Sequence, residues 1–179
     1  MPDKNIVILV GSPRKNGNTT LLAQAFAEKA SIRNHVEMYH IAELNIAPCQ
    51  GCNICFSNGN KCVQKDDMQE IYKALALADM LVIASPVYFY GISAQLTACI
   101  NRLHNPLRDS FHIRNAALLL AAASHKPYIC DAIKLQYQML LKNFDIENSG
   151  MVIAQGVKDV GDIANTEYLV QAQQLGQQV

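Results

Sequence analysis

The sequence predicts an α/β protein whose five strands form one parallel sheet with helices on both faces. Solid apolar runs, typical of strands buried on both faces, alternate with segments in which apolar residues recur at helical spacing. The pattern fits within 179 residues without an internal repeat or a linker. We therefore expect residues 1–179 to form a single domain.

Strands are predicted from two kinds of apolar pattern. Unbroken apolar runs at 6–10, 80–84 and 116–123 indicate three buried strands, and a shorter run at 151–154 supplies the fifth. The second strand, at 35–41, instead alternates, with Val36 and Met38 on one side and Glu37 and Tyr39 on the other. Alternation is typical of a half-exposed strand, which we place at an edge of the sheet.

Helices are predicted after each strand. Three of them follow side chains that suit a helix N-terminus, namely Asn18 or Thr19, the pair Asp66-Asp67, and Ser93. The other two are expected at about 128–144 and from about 166 onward. With the second strand at an edge, the strand order is 2-1-3-4-5, and the chain reverses direction between strands one and three. Ligands bind beyond the carboxyl ends of the strands at this point, so loops 11–20 and 86–92 should face one ligand.

Composition narrows the classes of partner. Fifteen basic residues balance fifteen acidic ones, so the chain carries no net charge and lacks the electrostatic signature of nucleic-acid or anionic-membrane binding. The expected partners are small molecules. No apolar run reaches the length of a membrane span, and the first strand begins too early for a signal peptide, so we expect a cytoplasmic protein.

The loop after the first strand has the composition of a phosphate site. It lies between a strand and a helix N-terminus, where backbone N–H groups and the helix dipole favour an anion. A triphosphate loop would need Lys in place of Asn18, and a dinucleotide fingerprint would need Gly in place of Pro13. The loop is therefore interpreted either as a monophosphate-binding loop or as an ordinary strand-to-helix turn. The candidate contacts are Ser12, Arg14, Asn16, Gly17, Asn18, Thr19 and Thr20.

The loop after the third strand reads SPVYFYGIS and contains three consecutive aromatic residues. They cannot all be buried in a short loop. Either they hold a flat apolar ligand, or they form a patch for a partner subunit, and both can apply together. The candidate contacts in this loop are Pro86, Val87, Tyr88, Phe89, Tyr90 and Gly91.

Four of the six cysteines lie close together, at Cys49, Cys52, Cys55 and Cys62, with the spacing C-x2-C-x2-C-x6-C. Thiolates at this spacing can converge on a [4Fe-4S] cluster, whereas structural zinc sites more often use two separated C-x2-C pairs. The alternative is an empty thiol loop that lines a subunit interface.

These motifs together resemble the NADPH-dependent FMN reductase family and its iron-sulfur flavoprotein branch. The resemblance rests on GSPRKNGNT, on SPVYFYGISAQL, and on the cysteine spacing followed by Asp66-Asp67-Met68. It implies a flavodoxin-like three-layer sandwich, FMN held by the two loops, and homodimers or homotetramers. Two features depart from the family pattern: Thr97 and Asn101 replace a Lys and an Asp, and 123–126 replaces a glycine-rich third loop.

The resemblance implies an FMN-dependent oxidoreductase. NAD(P)H would reduce FMN, and reduced FMN would pass electrons to a quinone, an azo compound, a metal ion, free flavin or an iron-sulfur centre. The cofactor supplies this chemistry, so no side chain is expected to be catalytic. The alternative function is an electron carrier, in which the cluster and the flavin exchange electrons with a ferredoxin-like partner.

Overall fold

The computed structural model describes residues 4–179 and contains one five-stranded parallel sheet. The strand order is β2-β1-β3-β4-β5, as predicted. The strands are β1 (Asn5–Val10), β2 (His35–His40), β3 (Met80–Pro86), β4 (Asn115–Ala122) and β5 (Glu147–Gln155).

Five α-helices cover the two faces of this sheet. They are α1 (Asn18–Ala30), α2 (Met68–Leu77), α3 (Ala94–Asn101), α4 (Asp131–Phe144) and α5 (Glu167–Gln178). Helices α1 and α5 pack on one face, and α2, α3 and α4 pack on the other. The predicted flavodoxin-like three-layer sandwich is therefore confirmed. No helix within residues 4–179 is long and apolar enough to cross a lipid bilayer.

The solid apolar runs are explained by two separate cores. Along β1, Ile6 and Ile8 pack towards α1 and α5, whereas Val7 and Leu9 pack towards the opposite helices. A strand in this position needs apolar residues on both faces, because each face is covered by helices. Strand β2 is only partly buried and lies at the edge of the sheet, as its alternating pattern predicted.

Two predicted elements differ from the observed ones in their bounds. Strand β5 begins at Glu147, four residues before the predicted start, and its polar first half contains Gly150 beside a register shift against β4. Helix α4 begins at Asp131 rather than near 128, since a turn precedes it. The polar residues at 147–150 concealed the start of β5, whereas the apolar residues at 128–130 extended the helical pattern into the turn before α4.

Close packing of α5 on α1 brings the end of the chain onto the first helix. Gly176 in α5 approaches α1 so closely that a Cβ atom there would collide with the carbonyl oxygen of Phe26. The segment between β5 and α5 is thereby drawn over the N-terminal end of α1. This arrangement gives the candidate site an additional wall.

Candidate functional site

A crevice of about 170 Å³ opens at the carboxyl ends of the strands, where the chain reverses between β1 and β3. Loops from four strands contribute to its walls, so the two loops predicted to face one ligand do line the same crevice. The lining residues are Ser12, Arg14, Gly17, Asn18, Thr19, Pro86, Val87, Tyr88, Ala121, Ala123, Val157 and Lys158.

The loop after β1 is held in a tight turn around the backbone of Arg14. Ser12 Oγ accepts a hydrogen bond from Arg14 N at 3.2 Å, and the Thr20 hydroxyl donates to Arg14 O at 3.2 Å. Gly17 N donates to the same carbonyl oxygen at 3.0 Å. A Cβ on Gly17 would lie only 3.2 Å from both Ser12 Oγ and Arg14 O, so glycine keeps this turn compact.

Helix α1 begins at the crevice without a side-chain cap. The expectation that Asn18 or Thr19 caps the helix is wrong: Gly17 is the N-cap residue, and no side chain accepts a hydrogen bond there. The first N–H groups of a helix have no intrahelical partner. Those of α1 therefore remain available beside the crevice, together with the positive end of the helix dipole.

The Asn18 side chain instead joins α1 to the loop after β5. Its Nδ2 donates to Asp159 O at 2.9 Å, and its Oδ1 accepts from Ile163 N at 3.3 Å. Arg14 Nη1 reaches the same loop and donates to Lys158 O at 3.2 Å. These contacts bring Lys158 to the crevice, which it lines together with Arg14.

The loop after β5 is also stiffened from within. The Asp162 carboxylate accepts hydrogen bonds from Lys158 N at 2.9 Å and from Asp159 N at 2.8 Å, and these bonds hold its pKa below the usual value. Sequence reasoning considered the loops after β1, β3 and β4 but missed this wall, which is formed by the loop after β5. The available signal was its position, since all parallel strands end at the same edge.

Five residues predicted to contact the ligand do not line the crevice, namely Asn16, Thr20, Phe89, Tyr90 and Gly91. Asn16 is exposed, and Thr20 is fully buried beneath the loop. Their direct contact with a ligand stays a prediction.

The aromatic residues after β3 form a strained two-residue turn. Tyr88 N donates to Gly91 O at 2.9 Å, and Gly91 N donates back to Tyr88 O at 3.0 Å. Between them Phe89 and Tyr90 have φ angles of 47° and 69°, a left-handed conformation that aromatic side chains rarely adopt. Phe89 is 97% exposed, and Tyr90 stacks on Tyr128 with a centroid separation of 6.3 Å.

The four clustered cysteines lie in one loop, residues 48–65, which we call the cysteine loop. All four line a single cavity, together with Tyr72, Arg102, His104 and Asn105. Within residues 4–179, no three His, Cys, Asp or Glu side chains converge on one point where a single metal ion could bind. The loop bends sharply at left-handed residues, which are Gly51, Asn53, Gly59 and Asn60.

Arg102, just after α3, forms the inner wall of this cavity and is 1% exposed. Its Nη1 donates to Asp66 Oδ2 at 2.6 Å and to Ala47 O at 2.9 Å, and its Nη2 donates to Cys62 Sγ at 3.2 Å. Burial alone would lower the pKa of the guanidinium. The hydrogen bond to Asp66 and the charges of Cys62 and Asp66 outweigh burial and raise this pKa above its usual value.

Two polar atoms of this wall lack a partner. Among the side chains of residues 4–179, the buried nitrogens Arg102 Nε and Asn105 Nδ2 make no hydrogen bond. The Tyr72 hydroxyl, their neighbour in the wall, donates to Arg102 O at 2.7 Å. Burial raises the pKa of Tyr72, and the adjacent Asn105 and Arg102 partly offset this effect. Orphaned buried donors are uncommon in folded proteins and indicate a missing acceptor.

The sheet topology and the crevice at its switch point define a protein of the flavodoxin-like class. The sequence profile of one family within this class, the NADPH-dependent FMN reductases, matches residues 4–153. The chain therefore belongs to the NADPH-dependent FMN reductase family, which confirms the resemblance identified from the motifs.

Similar curated proteins include iron-sulfur flavoproteins of archaea. One from Methanocaldococcus jannaschii is 42% identical over 62% of this chain and 56% of its own length. Another, from Archaeoglobus fulgidus, is 32% identical over 96% of this chain and 76% of its own length. A third, from Methanosarcina thermophila, is 36% identical over 59% of this chain and 55% of its own length. The chain thus spans about half the length of several curated relatives that it matches.

Solved structures with the same fold include an NAD(P)H:quinone oxidoreductase from Methanothermobacter marburgensis. It superposes with a TM-score of 0.79 at 19% identity, covering 98% of this chain and 96% of that protein. An FMN-dependent NADH-azoreductase from Bacillus anthracis, solved in complex with FMN, gives a TM-score of 0.66 at 15% identity, covering 97% and 96% of the two chains. At these identities the similarity establishes the fold alone.

The left-handed turn predicts the effect of a substitution at Phe89. Phe89→Gly should raise the free energy of unfolding by about 1 kcal/mol, because glycine adopts a positive φ without the steric penalty of a Cβ atom. Phe89→Ala is the matched control: it removes the ring but keeps the Cβ, and should give no such gain. Thermal or denaturant unfolding of the protein without cofactor measures both. Equal stabilities for the two variants would contradict the strain.

Proposed function

We propose that this protein is an oxidoreductase that binds FMN in the crevice and takes electrons from NAD(P)H. The observation that carries the proposal is the crevice itself, in which residues suited to bind a phosphate and apolar residues line one cavity. The family of the chain supports the choice of FMN and of a reduced nicotinamide as electron donor.

The loop after β1 is suited to the phosphate of FMN. Ser12 and Thr19 bring hydroxyl groups to the crevice, and Arg14 and Lys158 bring positive charge. The uncapped N-terminus of α1 supplies backbone N–H groups. Gly17 fits this role because a side chain there would crowd the turn that surrounds the anion.

The loop after β3 is suited to a flat ring. Pro86, Val87 and Tyr88 line the same crevice with apolar surface. Tyr88 is 46% exposed and therefore has ring surface available for contact. Aromatic and apolar groups of this kind orient a planar ligand and exclude water from one of its faces.

FMN, when bound, supplies the hydride and electron chemistry, and the protein provides orientation and electrostatics. The twelve residues that line the crevice supply hydroxyl, amide, cationic and apolar groups for this purpose. We propose small-molecule acceptors, such as quinones, azo compounds, free flavin or metal ions. The six free thiols suit the reducing cytoplasm, which we propose as the location.

We further propose that the protein forms homodimers or homotetramers. Phe89 is almost fully exposed and Tyr90 is 40% exposed, directly beside the crevice. Exposed aromatic residues clustered in this way are typical of interfaces, and a second copy would cover both them and the open side of the crevice.

The enzymatic proposal predicts NAD(P)H oxidation by protein reconstituted with FMN. We expect turnover with at least one acceptor from a panel of a quinone, an azo dye, a ferric complex and free flavin. The loss of nicotinamide absorbance measures the rate for NADH and for NADPH separately. Protein from which FMN has been removed serves as the control. Absence of oxidation with every acceptor would show that the protein is not such an enzyme.

The phosphate assignment predicts a selective effect of Arg14→Gln. This variant should bind FMN roughly 10- to 100-fold more weakly, because a hydrogen bond to a charged group contributes about 1.5–3 kcal/mol. Riboflavin, which lacks the phosphate, should bind equally well to both proteins. Lys15→Gln removes the same charge from an exposed site in the same loop and should change neither affinity. Flavin fluorescence titrations of the three proteins with FMN and with riboflavin measure all six dissociation constants; equal losses for FMN and riboflavin in Arg14→Gln would argue against a phosphate contact.

The second candidate function is that of an iron-sulfur flavoprotein that carries electrons to or from a ferredoxin-like partner. The specific observation is that all four clustered cysteines line one cavity, whose wall holds two donors without acceptors. The thiolates of Cys49, Cys52, Cys55 and Cys62 would hold the cluster, which would supply single-electron transfer. The names of several archaeal relatives support this choice.

This second function predicts that Cys52→Ser abolishes iron binding and spares FMN binding. A serine hydroxyl is a poor substitute for a thiolate ligand, while Cys52 lies outside the FMN crevice. Iron and FMN content after anaerobic reconstitution measure the two effects. Cys130→Ala is the control, since this buried residue is the N-cap of α4 and does not line the cavity of the cysteine loop. Unchanged iron content in Cys52→Ser would exclude it as a ligand.

A further inference from the structure

The two ends of the cysteine loop are fastened to each other. Asn45 N donates to Asp67 Oδ2 at 2.7 Å, and Asp67 N donates to Asn45 O at 3.1 Å. Ala47 N donates to Asp66 Oδ2 at 3.2 Å. The loop thus leaves and rejoins the fold at one point, although 18 residues separate Ala47 from Asp66 along the chain.

Arg102 contacts this junction and the loop together. Its guanidinium donates to Ala47 O just before the loop, to the Asp66 carboxylate just after it, and to the Cys62 sulfur within it. The side chains of Arg102 and Asp66 are 1% and 8% exposed. A buried, charge-assisted pair with this geometry allows little movement of the atoms it joins.

The remaining donors identify the kind of group that the cavity suits. Arg102 Nε and Asn105 Nδ2 are buried without acceptors, in a cavity that four thiols also line. Asn105 Oδ1 is already engaged, because it accepts from Leu107 N at 3.0 Å, which fixes the orientation of the amide. Two free donors, one of them on a guanidinium that Asp66 already neutralises, complement an anionic group rich in sulfur acceptors.

We propose that Arg102 positions the cysteine loop for an iron-sulfur cluster, and that Arg102 Nε and Asn105 Nδ2 donate hydrogen bonds to the sulfur atoms of that cluster. This inference rests on the second candidate function. Positive charge and hydrogen bonds at the sulfurs stabilise the reduced, more negative form of a cluster. The two residues therefore raise its reduction potential.

The test compares midpoint potentials of the reconstituted cluster in variants of the wall. Arg102→Gln should lower the equilibrium constant for one-electron reduction of the cluster about tenfold, which lowers the midpoint potential by about 59 mV. Arg102→Lys retains the charge and should restore most of the difference. Arg108→Gln removes the same charge from a neighbouring turn whose guanidinium binds His104 O and does not line the cavity, so its potential should stay unchanged.

Asn105→Asp tests the hydrogen bonds to the cluster independently of Arg102→Gln, which removes one partner of a buried ion pair. Asn105→Asp preserves the oxygen that accepts from Leu107 N and replaces the free donor with a charged acceptor. It should lower the potential as well. Potentials equal to the wild-type value in both Arg102→Gln and Asn105→Asp would overturn the proposed hydrogen bonds.

The positioning role has a readout that needs no cluster. In iron-free protein, Arg102→Gln should speed hydrogen exchange of the amides at 45–67, while Arg108→Gln should leave their exchange unchanged. Equal exchange in wild type and Arg102→Gln would overturn the positioning role. If the wild-type protein bound no iron, the carrier function and the tuning by Arg102 would both be wrong. If the wild-type protein bound iron but Arg102→Gln and Asn105→Asp had the wild-type midpoint potential, only the tuning by these residues would be refuted.

Discussion

The parallel direction of all five strands is the constraint on which the rest of this structure depends. Strands that run in one direction end at one edge of the sheet, so loops distant in sequence gather there. The reversal between β1 and β3 opens a space among these loops. Packing of α5 on α1 then carries the loop after β5 back over that space, where Asn18 and Arg14 hold it.

The two candidate sites are built by opposite physical means. The crevice leaves polar groups open, because helix α1 has no side-chain cap and the polar residues Ser12 and Thr19 line the cavity. The cysteine loop instead depends on a buried ion pair between Arg102 and Asp66. Burying two charges is costly, and removing one partner of such a pair typically destabilises a protein by about 3–5 kcal/mol. Retention of the pair is understandable if the arginine serves the cavity as well as the fold.

The sequence predicted the sheet, its strand order and the common crevice of the loops after β1 and β3. Strands buried on both faces have unbroken apolar runs, and strands buried on one face alternate, so both kinds are recognisable. It did not predict the loop after β5, whose place depends on tertiary packing of α5 on α1. Asn18 was read as a helix cap, yet its amide binds a segment more than 140 residues away. Arg102 was overlooked although it lies three residues after buried Cys99. An arginine in an apolar stripe is recognisable as buried only once its partner Asp66 is known.

The uncapped N-terminus of α1 links ligand binding to the stability of the folded chain. Helix N-termini ordinarily obtain acceptors from a capping side chain, and a glycine at this position, such as Gly17, typically costs only a few tenths of a kcal/mol relative to such a cap. In this protein an anion seated in the crevice would supply those acceptors and so act as the missing cap. Any ligand that binds only the folded chain also stabilises it in proportion to the logarithm of its concentration. FMN bound in the crevice, as proposed above, would therefore stabilise the first turn of α1 and with it the folded chain.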